Sequence, residues 1–246
     1  MEPPMKSLIS SLVESESPGP TSCRGRAPFI VLEGPNASGK TTLLGTVFDT
    51  MRTFYPHPVR IATDPISAPS NIARDVLDGI RNAKRPIQDP VTEALLYSAN
   101  RWYLWQAINK ALDRGFPVVC DRWWPSTAIY QSKPGSPDHL TAAQIVSVNR
   151  ALGIGNPDLL IVLDPGPTPP LRRMEARYNE PSDPHTYEVH RMFYLALGKV
   201  FATPYQSKER FSHILRTDEP LESTRRDVVS LVSSFSDYWV RTRLTA

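Results

Sequence analysis

The 246 residues include 25 prolines, about twice the usual share of roughly 5%, and only 12 glycines; hydrophobic residues make up 40% and charged residues 22%. That mix excludes a disordered acidic chain and a coiled coil, and the length allows one large domain or at most two small ones. A net charge of +3 suits an anionic small molecule and is too mild to argue for nucleic acid; no apolar run approaches the roughly 18 residues that span a bilayer, so no membrane partner is expected. Two cysteines, Cys23 and Cys120, are too few for a disulfide framework. A cytoplasmic location is expected, with nucleus and organelles left open.

Residues 1–27 are rich in Ser, Pro and Glu and read as a disordered tail, followed by one domain over 28–246. Proline is excluded from helix interiors and central strands, so proline-free windows mark where regular elements run. Those windows are Asn36–Tyr55, Ser70–Arg85, Val91–Phe116, Asp138–Asn156, His185–Thr203 and Leu221–Ala246. Between them lie short apolar runs at Phe29–Leu32, Val59–Ala62, Val118–Cys120, Leu159–Leu163 and His213–Leu215. These are too short for helices and read as strands buried on both faces. Alternation of strands with helical windows predicts an α/β fold with a five-stranded parallel sheet flanked by helices.

The strand Phe29–Glu33 runs into Gly34-Pro35-Asn36-Ala37-Ser38-Gly39-Lys40-Thr41, which fits G-x-x-x-x-G-K-[ST], with a helical window after it. A buried strand before and a helix after are the context a phosphate-binding loop requires. Backbone N–H groups of Gly34 through Thr42 are then positioned to cradle the phosphates of ATP. Lys40 reaches the β- and γ-phosphates, and the Thr41 hydroxyl ligates Mg²⁺.

Two later segments narrow the class. Asp89 and Pro90 open a helix carrying Thr92-Glu-Ala-Leu-Leu-Tyr97-Ser-Ala-Asn-Arg101-Trp. Tyr97 and Arg101, four apart, share one face that offers a ring for a base and a guanidinium for a phosphate. The third strand ends in Asp121-Arg122-Trp123-Trp124-Pro125-Ser126-Thr127-Ala128-Ile129-Tyr130-Gln131. Ligands of open α/β sheets bind at the carboxyl ends of strands, so Asp121 is expected to organise Mg²⁺ and Arg122 to bind phosphate.

With these motifs in order, the chain resembles the thymidylate kinase family. The resemblance covers EGPNASGKTT, TEALLYSANRW, DRWWPSTAIYQ, PDLLIVLD at Pro157–Asp164, the lid segment Leu171-Arg172-Arg173-Met174-Glu175-Ala176-Arg177, and Tyr187-Glu188 beyond it. It implies a P-loop kinase fold with a small lid over about 171–188, and transfer of the γ-phosphate of ATP to a deoxynucleoside monophosphate. The acceptor it favours is dTMP, giving dTDP. It implies that Tyr97 stacks on the acceptor base, Arg101 and Arg122 hold its phosphate, Thr127 meets the base edge, and Tyr130 lies beneath the deoxyribose. Arg173 and Arg177 would close over the transferred phosphate, in a subgroup whose lid supplies the basic residue that Ala37 does not. A homodimer is implied as well.

Two positions depart from the family pattern. Asn36 stands where a carboxylate usually helps hold the acceptor sugar, and Thr63-Asp64-Pro65 replaces Arg-Glu-Pro. Two other readings stay open. A deoxynucleoside kinase would use Asp64 as base toward a 5′-hydroxyl. A catalytically silent nucleotide-binding protein would act through the tail. Trp102, Trp105 and Trp124 are expected in packing or at a dimer interface, and Cys120 as a buried small hydrophobe.

Overall fold

The computed structural model describes residues 26–55, 59–61, 72–82, 89–132, 136–167, 183–202 and 211–244. The tail to residue 25, Thr63-Asp64-Pro65, and the lid residues Arg172, Arg173 and Arg177 lie outside them. In chain order the elements are β1 Phe29–Glu33, α1 Lys40–Phe54, β2 Val59–Ile61, α2 Ile72–Asn82, α3 Pro90–Asp113, β3 Val118–Asp121, α4 Trp124–Tyr130, α5 Ala142–Ala151, β4 Leu159–Asp164, α6 Pro184–Ala202, β5 Phe211–Arg216 and α7 Leu221–Leu244.

The five strands form one sheet in the order β2-β3-β1-β4-β5, every neighbouring pair parallel. β1 sits at the centre, with Leu32 beside both Asp121 of β3 and Ile161 of β4. Its five residues are all buried, as are the four of β3 and the six of β4. β5 departs from the expected pattern. Only Leu215 of its six residues is buried and Phe211 is 37% exposed, because β5 pairs on one side alone and forms the edge.

Side chains alternate across a strand, and the core divides accordingly. On one face Ile30, Leu32, Val119, Ile161 and Leu163 pack with Leu43, Leu44, Val47 and Met51 of α1 and Val228, Val232 and Phe235 of α7. On the other, Phe29, Val31, Val118, Cys120, Leu160 and Val162 pack with Leu104, Trp105 and Ile108 of α3, Trp123, and Tyr194 of α6. Phe29, Trp105 and Trp123 cluster there, the Phe29–Trp123 rings meeting edge-on at 5.2 Å. Trp105 and Trp124 are therefore core residues, whereas Trp102 is 38% exposed.

Helix starts follow their local chemistry. Asp89 caps α3 by accepting from the N–H groups of Val91 and Thr92, with Pro90 at the first position. Thr141 and Gln144 cap α5 reciprocally. α4 carries Pro125 within its first two positions, where the missing proline N–H costs nothing. Arg26 and Ala27, assigned to the tail from composition, are tied to the domain instead. Ala27 is buried and donates its N–H to Leu112 O at 2.8 Å, and Arg26 donates to Asn109 and Asp113.

Candidate functional site

The connection after β1 leads toward β2 and β3, and the one after β3 leads across to β4, so the carboxyl ends of β1 and β3 flank the topological switch point of the sheet. The loop Gly34–Gly39 fills one side of that crevice. Gly34 has φ +146°, and a Cβ there would stand 2.6 Å from the Leu163 carbonyl oxygen. Gly39 (φ +92°) and Ala37 (φ +60°) are also left-handed, which turns the loop back into α1. No side chain caps α1, so its first N–H groups face outward as an anion cradle.

Lys40 is folded over this loop and buried. Its Nζ donates to Gly34 O at 2.8 Å, Pro35 O at 2.6 Å and Ser38 Oγ at 3.2 Å. Thr41 and Thr42 are exposed in the first turn of α1. Asp121, 4% exposed, ends β3 on the parity of Val119, the α1 side of the sheet.

Arg122 stands opposite the loop. Its Nη1 donates to Gly34 O (3.3 Å), Ser126 Oγ (3.0 Å) and Tyr194 Oη (2.9 Å), and its Nη2 to Asn36 Oδ1 at 2.7 Å. The guanidinium lies 5.2 Å from the centre of the Tyr130 ring. Burial disfavours its charge, but Tyr194, Tyr130, Glu33 and Asp121 hold it more firmly protonated than usual. Arg122 also has φ +73°, a backbone conformation uncommon for a residue with a Cβ.

Arg101 is buried in α3, donates from Nη1 to Thr127 Oγ1 at 2.8 Å, and lies 5.6 Å from the Trp123 ring centre. Burial lowers its pKa to about 10, against the opposing pull of the Glu33 charge. Tyr97, one turn earlier on α3, is half-buried. Tyr130 closes the group, its hydroxyl 3.5 Å from Asn36 Oδ1 and its ring edge-on to His190 of α6 at 4.7 Å. Thus the fold brings Lys40, Asn36, Arg122 and Tyr130 together through shared hydrogen bonds, with Arg101 and Thr127 bonded to each other beside them. Asp64, Arg173 and Arg177 fall outside the described residues.

Several neighbours were not predicted. Glu33, 1% exposed, accepts from the Trp123 N–H and the Ser126 hydroxyl. Tyr194 and His190 of α6 flank Tyr130 and Arg122. Asp164 ends β4 and pairs with Arg191, accepting from Nε at 2.5 Å and Nη2 at 2.9 Å and also from the Gly166 N–H. Burial disfavours the Asp164 charge, but those bonds hold its carboxyl below the usual range. Cys120 is a free buried thiol whose pKa burial raises, so it serves as packing.

A phosphate loop on a central strand, a lysine folded over it and an arginine facing it across a parallel sheet define a P-loop kinase. A family model described as thymidylate kinase matches residues 32–228. The chain is 31% identical over 209 residues to the thymidylate kinase of Bacillus pumilus, covering 83% of this chain and 94% of that protein. It is 34% identical over 149 residues to the thymidylate kinase of Bacillus licheniformis, covering 60% and 68%. The crystal structure of thymidylate kinase from Ehrlichia chaffeensis superposes with a TM-score of 0.61 at 21% identity, over 85% of this chain and 99% of that one. The chain belongs to the thymidylate kinase family.

Proposed function

We propose that this protein transfers the γ-phosphate of ATP to dTMP, releasing dTDP and ADP. The observation that carries the reading is the shared carbonyl of Gly34, which accepts from both Lys40 Nζ and Arg122 Nη1. A lysine of the donor-phosphate loop and an arginine suited to an acceptor phosphate meet on one oxygen, so two phosphates bound there lie close together. Phosphoryl transfer through a metaphosphate-like transition state asks for that proximity and for positive charge. An acceptor phosphate oxygen is already nucleophilic, so the side chains have no proton to remove.

In this scheme Lys40 leaves the loop carbonyls for the β- and γ-phosphates, while the N-terminal amides of α1 hold their oxygens. Arg122 and Arg101 take the acceptor phosphate, Tyr97 stacks on its base, Thr127 meets the base edge and Tyr130 lies under the sugar. Asn36 bridges the two halves, accepting from Arg122 and Tyr130. As a neutral amide it leaves the Arg122 charge free for phosphate. Arg173 and Arg177 bring further positive charge from the lid. An exposed hydroxyl at Thr41 and the Asp121 carboxylate across the crevice are oxygen donors suited to Mg²⁺, which would neutralise charge between the β- and γ-phosphates. A homodimer is part of the proposal. Leu95, Trp102 and Tyr103 form an exposed apolar stripe on α3, and Ile72 and Val76 another on α2.

The test is ADP release with ATP and Mg²⁺ against dTMP, dUMP, other monophosphates and thymidine. Turnover on dTMP is expected; turnover on thymidine alone would overturn the reading. Arg122→Ala should weaken the acceptor about 10- to 100-fold in kcat/KM while ATP binding persists.

A further inference from the structure

Glu33 is the one charged residue in a central strand whose other four members are Phe, Ile, Val and Leu, and it is buried. A carboxylate is almost never placed there unless its partners hold it. By strand alternation it shares the face of Phe29 and Val31, which is the face of Trp123 and Tyr194. Both oxygens are used. Oε1 accepts from the Trp123 N–H at 2.7 Å and Oε2 from the Ser126 hydroxyl at 2.8 Å. Ser126 Oγ in turn accepts from Arg122 and lies 2.9 Å from Tyr194 Oη, which also accepts from Arg122.

These bonds bracket Arg122, on the residue immediately after it and four residues on. Arg122 is the residue with left-handed backbone, and such a conformation persists where surrounding contacts over-determine it. From below, the Arg122 N–H donates to Leu32 O at 2.9 Å, and from above Glu33 holds the following N–H. Consecutive residues of β1 thereby grip consecutive amides of the turn.

We infer that Glu33 is a positioning residue for the acceptor site: its carboxylate locks the left-handed turn at Arg122 and aims that guanidinium at the acceptor phosphate. Burial pushes the Glu33 pKa up while Arg122 and the Ser126 and Trp123 hydrogen bonds pull it down, and its carboxyl in turn favours the charged forms of Arg101 and, alongside Tyr194, Tyr130 and Asp121, of Arg122. Glu33 touches no substrate. It works through Trp123, Ser126 and Tyr194, and its position immediately before Gly34 ties the acceptor turn to the strand that carries the donor loop.

The inference rests on the kinase reading above, and its test separates the two. Wild-type turnover on dTMP checks the reaction. The role of Glu33 is read from ratios between variant and wild type, with whichever monophosphate the wild type uses. Glu33→Gln keeps the size and an acceptor for the Trp123 N–H but removes the charge and one accepting oxygen. It should raise acceptor KM at least about tenfold while KM for ATP and directly titrated ATP binding stay within about twofold. Ser126→Ala removes the Glu33 Oε2 contact together with the Ser126 bonds to Arg122 and Tyr194, and should give a rise of the same kind. It serves as the test if the Glu33 variant does not fold. Folded Glu33→Gln or Ser126→Ala protein with unchanged acceptor KM, or with donor and acceptor KM rising together, would overturn the inference.

Discussion

Alanine in place of Gly34 should damage the protein in a graded way that neighbouring glycines calibrate. The added Cβ would lie 2.6 Å from Leu163 O, 2.9 Å from Ser38 Oγ and 3.3 Å from Leu163 Cβ, at a backbone φ of +146°. The Leu163 oxygen belongs to β4, which is paired on both sides, so it cannot withdraw without disturbing two ladders. Backbone strain of about 1–3 kcal/mol and overpacking of similar size make a total near 3 kcal/mol reasonable. For a domain of this length that is a fall in melting temperature of about 6–12 °C. Because Gly34 O faces both Lys40 and Arg122, ATP and acceptor should weaken together. At Gly39 a Cβ meets nothing within 4 Å, so Gly39→Ala carries only the left-handed cost, about 1–2 kcal/mol. Gly45, inside α1 with open space, should be neutral or gain up to about 1 kcal/mol as alanine. Thermal unfolding and ATP titration of the three variants give the order. A Gly34→Ala protein melting within about 1 °C of wild type would refute the close-approach argument.

Tyr130→Ala should relax discrimination between deoxy- and ribonucleotide acceptors more than it lowers ATP affinity; unchanged selectivity in competition assays would make Tyr130 a packing residue only. Arg191→Met leaves the Asp164 carboxylate buried without its main partner and should cost about 3 kcal/mol by denaturant unfolding, with part regained on adding Asp164→Asn. Asp164 is held below its ordinary pKa, so its stabilisation is complete above about pH 4 and is lost as pH falls through the folded value. Asp164→Asn should flatten that acid limb, and identical acid profiles would contradict it. His190 titrates low because it is half-buried and then because Arg122 is near, so folding disfavours its proton. Stability should decline as pH drops below about 6.5, and His190→Gln should show a shallower decline over pH 5–6.5. Equal slopes would place the titration elsewhere.

The strands were legible because each holds a short apolar stretch between prolines, and the phosphate loop because its geometry is local to eight residues. β5 misled for a physical reason. Apolar content predicts burial on both faces only when a strand has two neighbours, and Phe211 to Arg216 has one. Tyr97, Arg101 and Arg122 could be chosen from their motifs, but Tyr194 and His190 could not. They lie four apart on α6 like any helical pair, and they reach Arg122 and Tyr130 only because α6 packs beside α4. Glu33 did carry a signal in the sequence: a single carboxylate closing an otherwise apolar central strand implies waiting donors. Its donors, though, lie some ninety residues away in the chain, where spacing says nothing.

The bare start of α1 has a consequence for the protein in its cell. α3 and α5 are capped by side chains of the protein itself, but α1 leaves its first amides to whatever anion arrives. Nucleotide is then a part of the fold supplied from outside, and the working stability of the enzyme follows the size of the nucleotide pool. Ligand at a hundred times its Kd adds about 2.7 kcal/mol, a sizeable share of what holds a domain together. When that pool shrinks, the kinase loses substrate and support at once, and its abundance should fall with its flux.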